Sequence, residues 1–228
     1  MIRRKFLQSA SLGTAALASL GFKDLRLAPP RVAMAKYMGG FSAVAKENLR
    51  AAFIGLGYRG KDHLRNFASL PGTTVVGLCD LYQDHVEEKL STLQNLRPEL
   101  NKEDVKTYWG DEEAWRSMLD EVQPDLVFIS TNWANHAPMA IGCMENGAHA
   151  FVEVPLATSI EDLWAIVDTS EKTQRHCMMM ENVNYGRDEL LFLNLCRQGY
   201  IGELFHAEAT YIHELLWQMK EEERGTGS

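Results

Sequence analysis

The chain has little that would tie it together covalently or hold it in a bilayer. Its four cysteines, Cys79, Cys143, Cys177 and Cys196, are scattered through 228 residues and form no CxxC pair. That spacing excludes a disulfide scaffold and cysteine-rich metal sites, and leaves the thiols as small buried hydrophobes. No run of about 18 apolar residues exists, so no membrane-spanning helix is expected. Positive charge is in deficit: 23 Lys and Arg stand against 31 Asp and Glu, a net charge of -8, which argues against nucleic acid as a partner. Repeats and low-complexity segments are missing too. What is present, 46% hydrophobic and 24% charged residues, is ordinary globular usage in a chain long enough for one or two domains.

The first 35 residues stand apart. They hold Arg3, Arg4, Lys5, Lys23, Arg26 and Arg31 but a single acid, Asp24. The pair Arg3-Arg4 precedes Phe6 and Leu7. A short, small-residue-rich apolar block, Ser9 to Leu20, follows, and Ala33-Met34-Ala35 offers a small-x-small cleavage site. That order is the pattern of a twin-arginine export signal. Residues 1–35 are therefore expected to be a signal peptide and 36–48 a linker, with the mature protein periplasmic or otherwise exported.

From Leu49 short apolar runs alternate with amphipathic stretches. The runs are Arg50–Gly55, Thr74–Cys79, Leu126–Ser130, Ala150–Val154 and Cys177–Met180. Helices are expected near Lys61–Ser69, Gln83–Asn95, Glu112–Asp120, Ala137–Asn146, Ile160–Thr173 and Asp188–Gln198. Ser159 is placed to cap the Ile160 helix, and Leu163, Ile166 and Val167 share one of its faces. Strands separated by helices must pair in parallel, so 49–181 reads as an α/β domain with a doubly wound, Rossmann-type parallel sheet. Beyond it, 182–228 reads as the beginning of an α+β substrate domain, with a strand from His206 to His213 that lacks partners. The chain is accordingly expected to be a fragment whose second domain is cut short.

Gly55-Leu56-Gly57-Tyr58-Arg59-Gly60 matches GxGxxG between a strand and a helix. In that context Gly55 permits the tight turn, Gly57 admits a pyrophosphate, and Gly60 lets the helix pack on the strand. Asp80 ends the next strand, where a carboxylate accepts from ribose hydroxyls and repels a 2′-phosphate; this favours NAD over NADP. Arg59 is a rival influence, since a guanidinium tolerates the extra phosphate. Trp133, His136 and Glu153 follow later strands at their C-terminal ends, where open parallel sheets bind ligands.

These residues resemble the Gfo/Idh/MocA family of NAD(P)-dependent sugar oxidoreductases, from Leu49 to His213. The finer resemblance is to glycoside hydrolase family 109, the NAD-dependent α-N-acetylgalactosaminidases. It rests on Asn135-His136-Ala137-Pro138-Met139-Ala140, Glu153-Val154-Pro155, Asp168 to Thr173, Glu181-Asn182, Asn184-Tyr185-Gly186-Arg187 and Tyr211-Ile212-His213. The resemblance implies NAD as cofactor, lined by Tyr58, Arg59, Asp80, Trp133, Ala134, Asn135, His136, Glu153, Val154 and Asn182, with Tyr211 touching the sugar. The broader family usually carries Glu-Lys-Pro, whose lysine assists proton transfer from the alcohol. Here that position is Val154, which neither donates nor accepts. The glycosidase branch implies a redox-neutral route on a glycan's terminal sugar: oxidation at C3, elimination of the aglycone, addition of water and reduction.

Acid and base groups are expected beyond the nucleotide fold. Tyr211 and His213 are two apart and would project from one face of a strand. A histidine exchanges protons near neutral pH, so His213 is assigned as acid or base in the elimination and Tyr185 as the base for C2. Two further readings stay open: a net NAD-dependent sugar oxidoreductase, marked by accumulating NADH, and an NAD-binding module without turnover. A homo-oligomer is allowed but not indicated, and no metal ligand set is seen.

Overall fold

Side chains alternate across a β-strand, and a strand covered on both faces must be apolar on both. The first strand, β1 (Leu49–Ile54), meets that condition: Ala51 and Phe53 point to one face, Ala52 and Ile54 to the other, and all four are buried. The computed structural model of the chain describes residues 36–182, 184–210, 212 and 214. In chain order β1 is followed by α1 (Tyr58–Ala68), β2 (Thr73–Cys79), α2 (Gln83–Leu96), a 3-10 turn at Lys102–Asp104, β3 (Lys106–Tyr108), α3 (Ala114–Val122), β4 (Leu126–Ile129), α4 (Trp133–Glu145), β5 (His149–Glu153), α5 (Ile160–Thr173), β6 (Cys177–Met180) and α6 (Arg187–Arg197).

The six strands form one sheet in the order β3-β2-β1-β4-β5-β6, and every pairing is parallel. This is the doubly wound arrangement expected from the alternation of strand and helix. Leu64 and Phe67 of α1 and Val86 and Leu93 of α2 cover one face. Trp115 and Met118 of α3, Cys143 and Met144 of α4 and Ile166 of α5 cover the other. The order reverses between β1 and β4, so a crevice opens beyond their C-terminal ends. The four cysteines are free; Cys79 and Cys143 are buried, and burial pushes the Cys79 thiol up to about 12.

Several elements differ from the sequence reading for local reasons. Strand β3 was not expected: its three residues pair with Gly77–Cys79 and are too few to show an alternating pattern. Helix α4 starts four residues early, because the Asn132 side chain accepts from the Asn135 amide at 3.1 Å and caps it there. Helix α5 spans the range expected, and Ser159 caps it, accepting from the Asp162 amide at 3.0 Å. Its packing face is narrower than expected, however: Ile166 is 2% exposed, but Leu163 and Val167 are 39% and 38% exposed. The expected strand from His206 is corrected as well. Its described residues, 206–210 and 212, form no strand, since an extended segment needs a hydrogen-bonding neighbour and finds none among the described residues.

The linker expected over 36–48 has no helix or strand, and it is anchored. Gln174 Nε2 donates to the Lys36 carbonyl at 3.1 Å, and the Phe41 ring lies 4.9 Å from that of His176. No described helix is long and apolar enough to cross a membrane. The expected export signal lies outside the described residues.

The contrast along α5 is measurable. Ile166→Ala is expected to destabilise the protein by about 3 kcal/mol, the usual cost of truncating a buried branched side chain. Leu163→Ala is expected to cost less than about 1 kcal/mol. Urea denaturation midpoints of the two variants, at equal slopes, check this.

Candidate functional site

The crevice begins where β1 turns into α1. Gly55 has a φ of +83°, and a Cβ there would lie 2.3 Å from the Ser130 carbonyl oxygen of the neighbouring strand end. Only glycine combines that left-handed backbone with so close an approach. At Gly60 a Cβ would lie 2.0 Å from the Gly55 carbonyl oxygen, so a side chain would force the helix off the strand. Gly57 is different: a Cβ there meets nothing within 4 Å. It occupies the N-cap of α1, where no side chain caps the helix and the first turn holds no acid. The first turn of an 11-residue helix thus has no side-chain cap, and its N-cap glycine leaves room beside it, an arrangement suited to an anion.

Asp80, just past β2, secures this turn. Its Oδ2 accepts from the Leu56 amide at 2.6 Å and its Oδ1 from the Tyr82 amide at 2.9 Å. His85 Nδ1 lies 3.3 Å from Oδ1 without making a hydrogen bond. The carboxylate therefore has a structural task besides the expected ribose contact. It borders a cleft whose walls include Gly57, Leu81, Trp115, Asn135 and Met139. No lysine or arginine lines that cleft among the described residues. Arg59, the rival influence, is turned elsewhere.

That elsewhere is the end of β5. Arg59 Nε donates to Glu153 Oε1 at 3.1 Å, and its terminal nitrogen donates to Asn182 Oδ1 at 2.6 Å. His63 Nε2 lies 2.6 Å from the same Glu153 oxygen. Burial alone would raise the Glu153 carboxyl; the His63 hydrogen bond, with Arg59 and the Val154 amide, outweighs it and holds the group below the usual carboxylate range. Arg59, Glu153 and Asn182, expected at the site from separate motifs, are thus brought together. His63 was not singled out, although its place four residues after Arg59 on a helix is the signal that the two share a face.

The remaining expected residues fall into four groups. Tyr58, Trp133, Ala134 and Val154 are exposed around the crevice, and Asn135 lines the cleft. His136 is 1% exposed, and its ring spans the carbonyls of Thr131 (3.0 Å) and Pro155 (2.7 Å), joining the loops after β4 and β5. Tyr185, just before α6, is exposed and touches none of these groups in a hydrogen bond. Tyr211 and His213 lie outside the described residues. Among the described residues no group of three or more His, Cys, Asp or Glu is placed to hold a metal ion.

Comparisons with known proteins agree with this geometry. Residues 49–181 match the Gfo/Idh/MocA model, described as an oxidoreductase family with an NAD-binding Rossmann fold, and residues 185–227 match the glycosyl hydrolase 109 C-terminal domain. The chain is 44% identical to glycosyl hydrolase family 109 protein 1 of Akkermansia muciniphila and 45% identical to a glycosyl hydrolase family 109 protein of Shewanella pealeana. Each match covers 99% of this chain but 51% and 49% of the relative, so the chain spans about half the length of the curated relatives it matches. Among solved structures, an NAD-binding protein from Listeria innocua is 27% identical with a TM-score of 0.55, over 71% of this chain and 43% of that one. The open glycine-lined helix end, the acid beyond β2 and the apolar cleft between them fit NAD. Descent adds what geometry cannot: the chain belongs to the Gfo/Idh/MocA oxidoreductase family, with an NAD-binding Rossmann domain that runs into the glycosyl hydrolase 109 C-terminal domain.

Proposed function

We propose that this chain carries the NAD-binding half of an exported glycosidase that releases terminal α-N-acetylgalactosamine with no net oxidation. When bound, NAD supplies a reversible hydride acceptor for C3 of the sugar. The chain's own residues do the rest. The amides at the start of α1 hold the pyrophosphate, and Asp80 with the cleft beside Leu81, Trp115 and Met139 holds the adenosine half. Asn135 lines that same cleft, while Trp133, Glu153 and Asn182 border the nicotinamide half.

The observation that carries this reading is Val154. It is 41% exposed beside Glu153 at the end of β5, where the resemblance calls for lysine in net oxidoreductases. A valine there cannot take the C3 hydroxyl proton, which leaves as the hydride does in either route and in this reading passes to water, to be returned when the hydride comes back. A ketone held at C3 acidifies the neighbouring C2 proton, and elimination then needs only a base and an acid. Tyr185, with its hydroxyl open to solvent, is the proposed base, His213 the proposed acid and Tyr211 the sugar contact. Passage through a twin-arginine route, directed by Arg3 and Arg4, would let the protein fold around NAD before it leaves the cytoplasm.

Incubated with NAD+ and a nitrophenyl α-N-acetylgalactosaminide, the full-length protein that contains this chain is expected to release nitrophenol while NADH absorbance stays at baseline. Steady NADH formation with free N-acetylgalactosamine would identify the net oxidoreductase instead, and NAD binding without either product would identify a binding module. Asp80→Asn keeps an acceptor for the Leu56 amide but removes the charge, so the preference for NAD over NADP is expected to shrink by about tenfold in calorimetric titrations. Replacing Arg3 and Arg4 with lysine is expected to retain a folded reporter in the cytoplasm; unchanged delivery would remove the twin-arginine assignment.

A further inference from the structure

Arg59 and His63 leave the same face of α1 and converge on one atom. Glu153 Oε1 lies 2.6 Å from His63 Nε2, 3.1 Å from Arg59 Nε and 3.0 Å from an Arg59 terminal nitrogen. Among the described residues, Glu153 Oε2 is engaged only by the adjacent Val154 amide, at 3.2 Å. One oxygen is crowded with donors, while the other has a single long contact from its own strand.

The two donors are not equivalent. The Arg59 side chain is 41% exposed and shared with Asn182, on a long stem. The His63 side chain is 16% exposed, and its ring lies along Phe128, with centroids 5.9 Å apart and planes 22° apart. A short ring fixed by stacking aims a donor more rigidly than a flexible guanidinium does. Nothing in a glycine-rich turn requires histidine at this point, and leucine would pack on Phe128 equally well. What leucine would lack is the donor.

We propose that His63 is a positioning residue: it holds Glu153 Oε1 so that Oε2 is presented at the C-terminal end of β5 as the acceptor for a hydroxyl or amide N–H in the nicotinamide half of NAD. The assignment rests on Glu153 bordering that half of the site and is independent of the glycosidase reading. Arg59 supplies charge, and His63 supplies direction. The titratable and charged groups facing Glu153 among the described residues are Arg59 and His63, both from α1. From its own strand end it receives only the Val154 amide, and the segment after β6 reaches it only through Asn182 on Arg59. With both partners present the carboxyl stays ionised well into the acid range, so the acceptor persists as pH falls. Without His63, burial raises the carboxyl and the acceptor is lost by protonation at a higher pH.

The test is calorimetric titration of NAD into the full chain between about pH 5 and pH 8, a window that brackets the ordinary carboxylate and histidine ranges. His63→Leu keeps the packing on Phe128 and removes the donor. Its NAD affinity is expected to drop about tenfold at neutral pH and to fall further on acidification, where the wild type is nearly flat. His63→Gln keeps a donor without the ring and is expected to recover most of the affinity and the flat profile. In a Glu153→Gln background, His63→Leu is expected to add little, because the two act as one unit.

Wild-type affinity and profile in His63→Leu, together with loss in His63→Gln, would make His63 a packing residue and overturn the proposal. An undiminished effect of His63→Leu in the Glu153→Gln background would show that it does not act through Glu153. If His63→Leu does not fold, judged by its thermal melt, His63→Asn takes its place, with an amide too short to reach Oε1, and the same loss is expected. Failure of the wild type to bind NAD would overturn the site itself, an outcome distinct from the others; a glycosidase assay without product leaves the His63 titrations fully decisive.

Discussion

The Gly55 carbonyl and the Gly60 backbone approach so closely that no Cβ fits between them. This contact sets where α1 begins and how it leans on β1. Leu64 and Phe67, buried one and two turns further on, keep the helix against the sheet once the glycines have let it in. The rest of the site follows from that lean. The uncapped helix end opens into the crevice, and the face carrying Arg59 and His63 lies over the end of β5. A methyl group at Gly60 would move all of these groups together.

The charge pattern around the crevice is ordered. Carboxylates stand on both sides of the start of α1: Asp80 after β2, with Asp111 and Glu112 lining the same cleft, and Glu153 after β5. A dinucleotide has the complementary order, with a hydroxyl-bearing ribose on each side of an anionic pyrophosphate. The two carboxylates are held by different means. Asp80 is bound by main-chain amides, which carry no net charge, whereas Glu153 is bound mainly by side-chain donors. Its properties are accordingly open to change by substitution in a way that those of Asp80 are not.

The fold was legible because its two signals were local: apolar runs of strand length and the glycine motif between one run and the next helix. Both survive without knowledge of neighbours. Features that depend on neighbours were not legible. Strand β3 exists because Gly77–Cys79 present a free edge to it, and its own three residues carry no pattern. The exposure of Leu163 and Val167 depends on how far α5 rolls over the sheet, which helical spacing does not encode. His63 was missed because its partner is 90 residues away along the chain. The run from His206 shows the opposite error, alternation with no strand beside it among the described residues to accept the hydrogen bonds.

His136 gives the crevice a mechanical character. Its buried ring lies between the loop after β4 and the loop after β5 with one nitrogen near a carbonyl of each, so two strand ends already paired in the sheet also share one shielded imidazole. The loop after β4 also carries Asn132 and Asn135 at the cleft, and the loop after β5 starts at Glu153 and Val154. A neutral imidazole carries one N–H, so it donates to one of the two carbonyls, and the tautomer decides which of the two loops the ring holds.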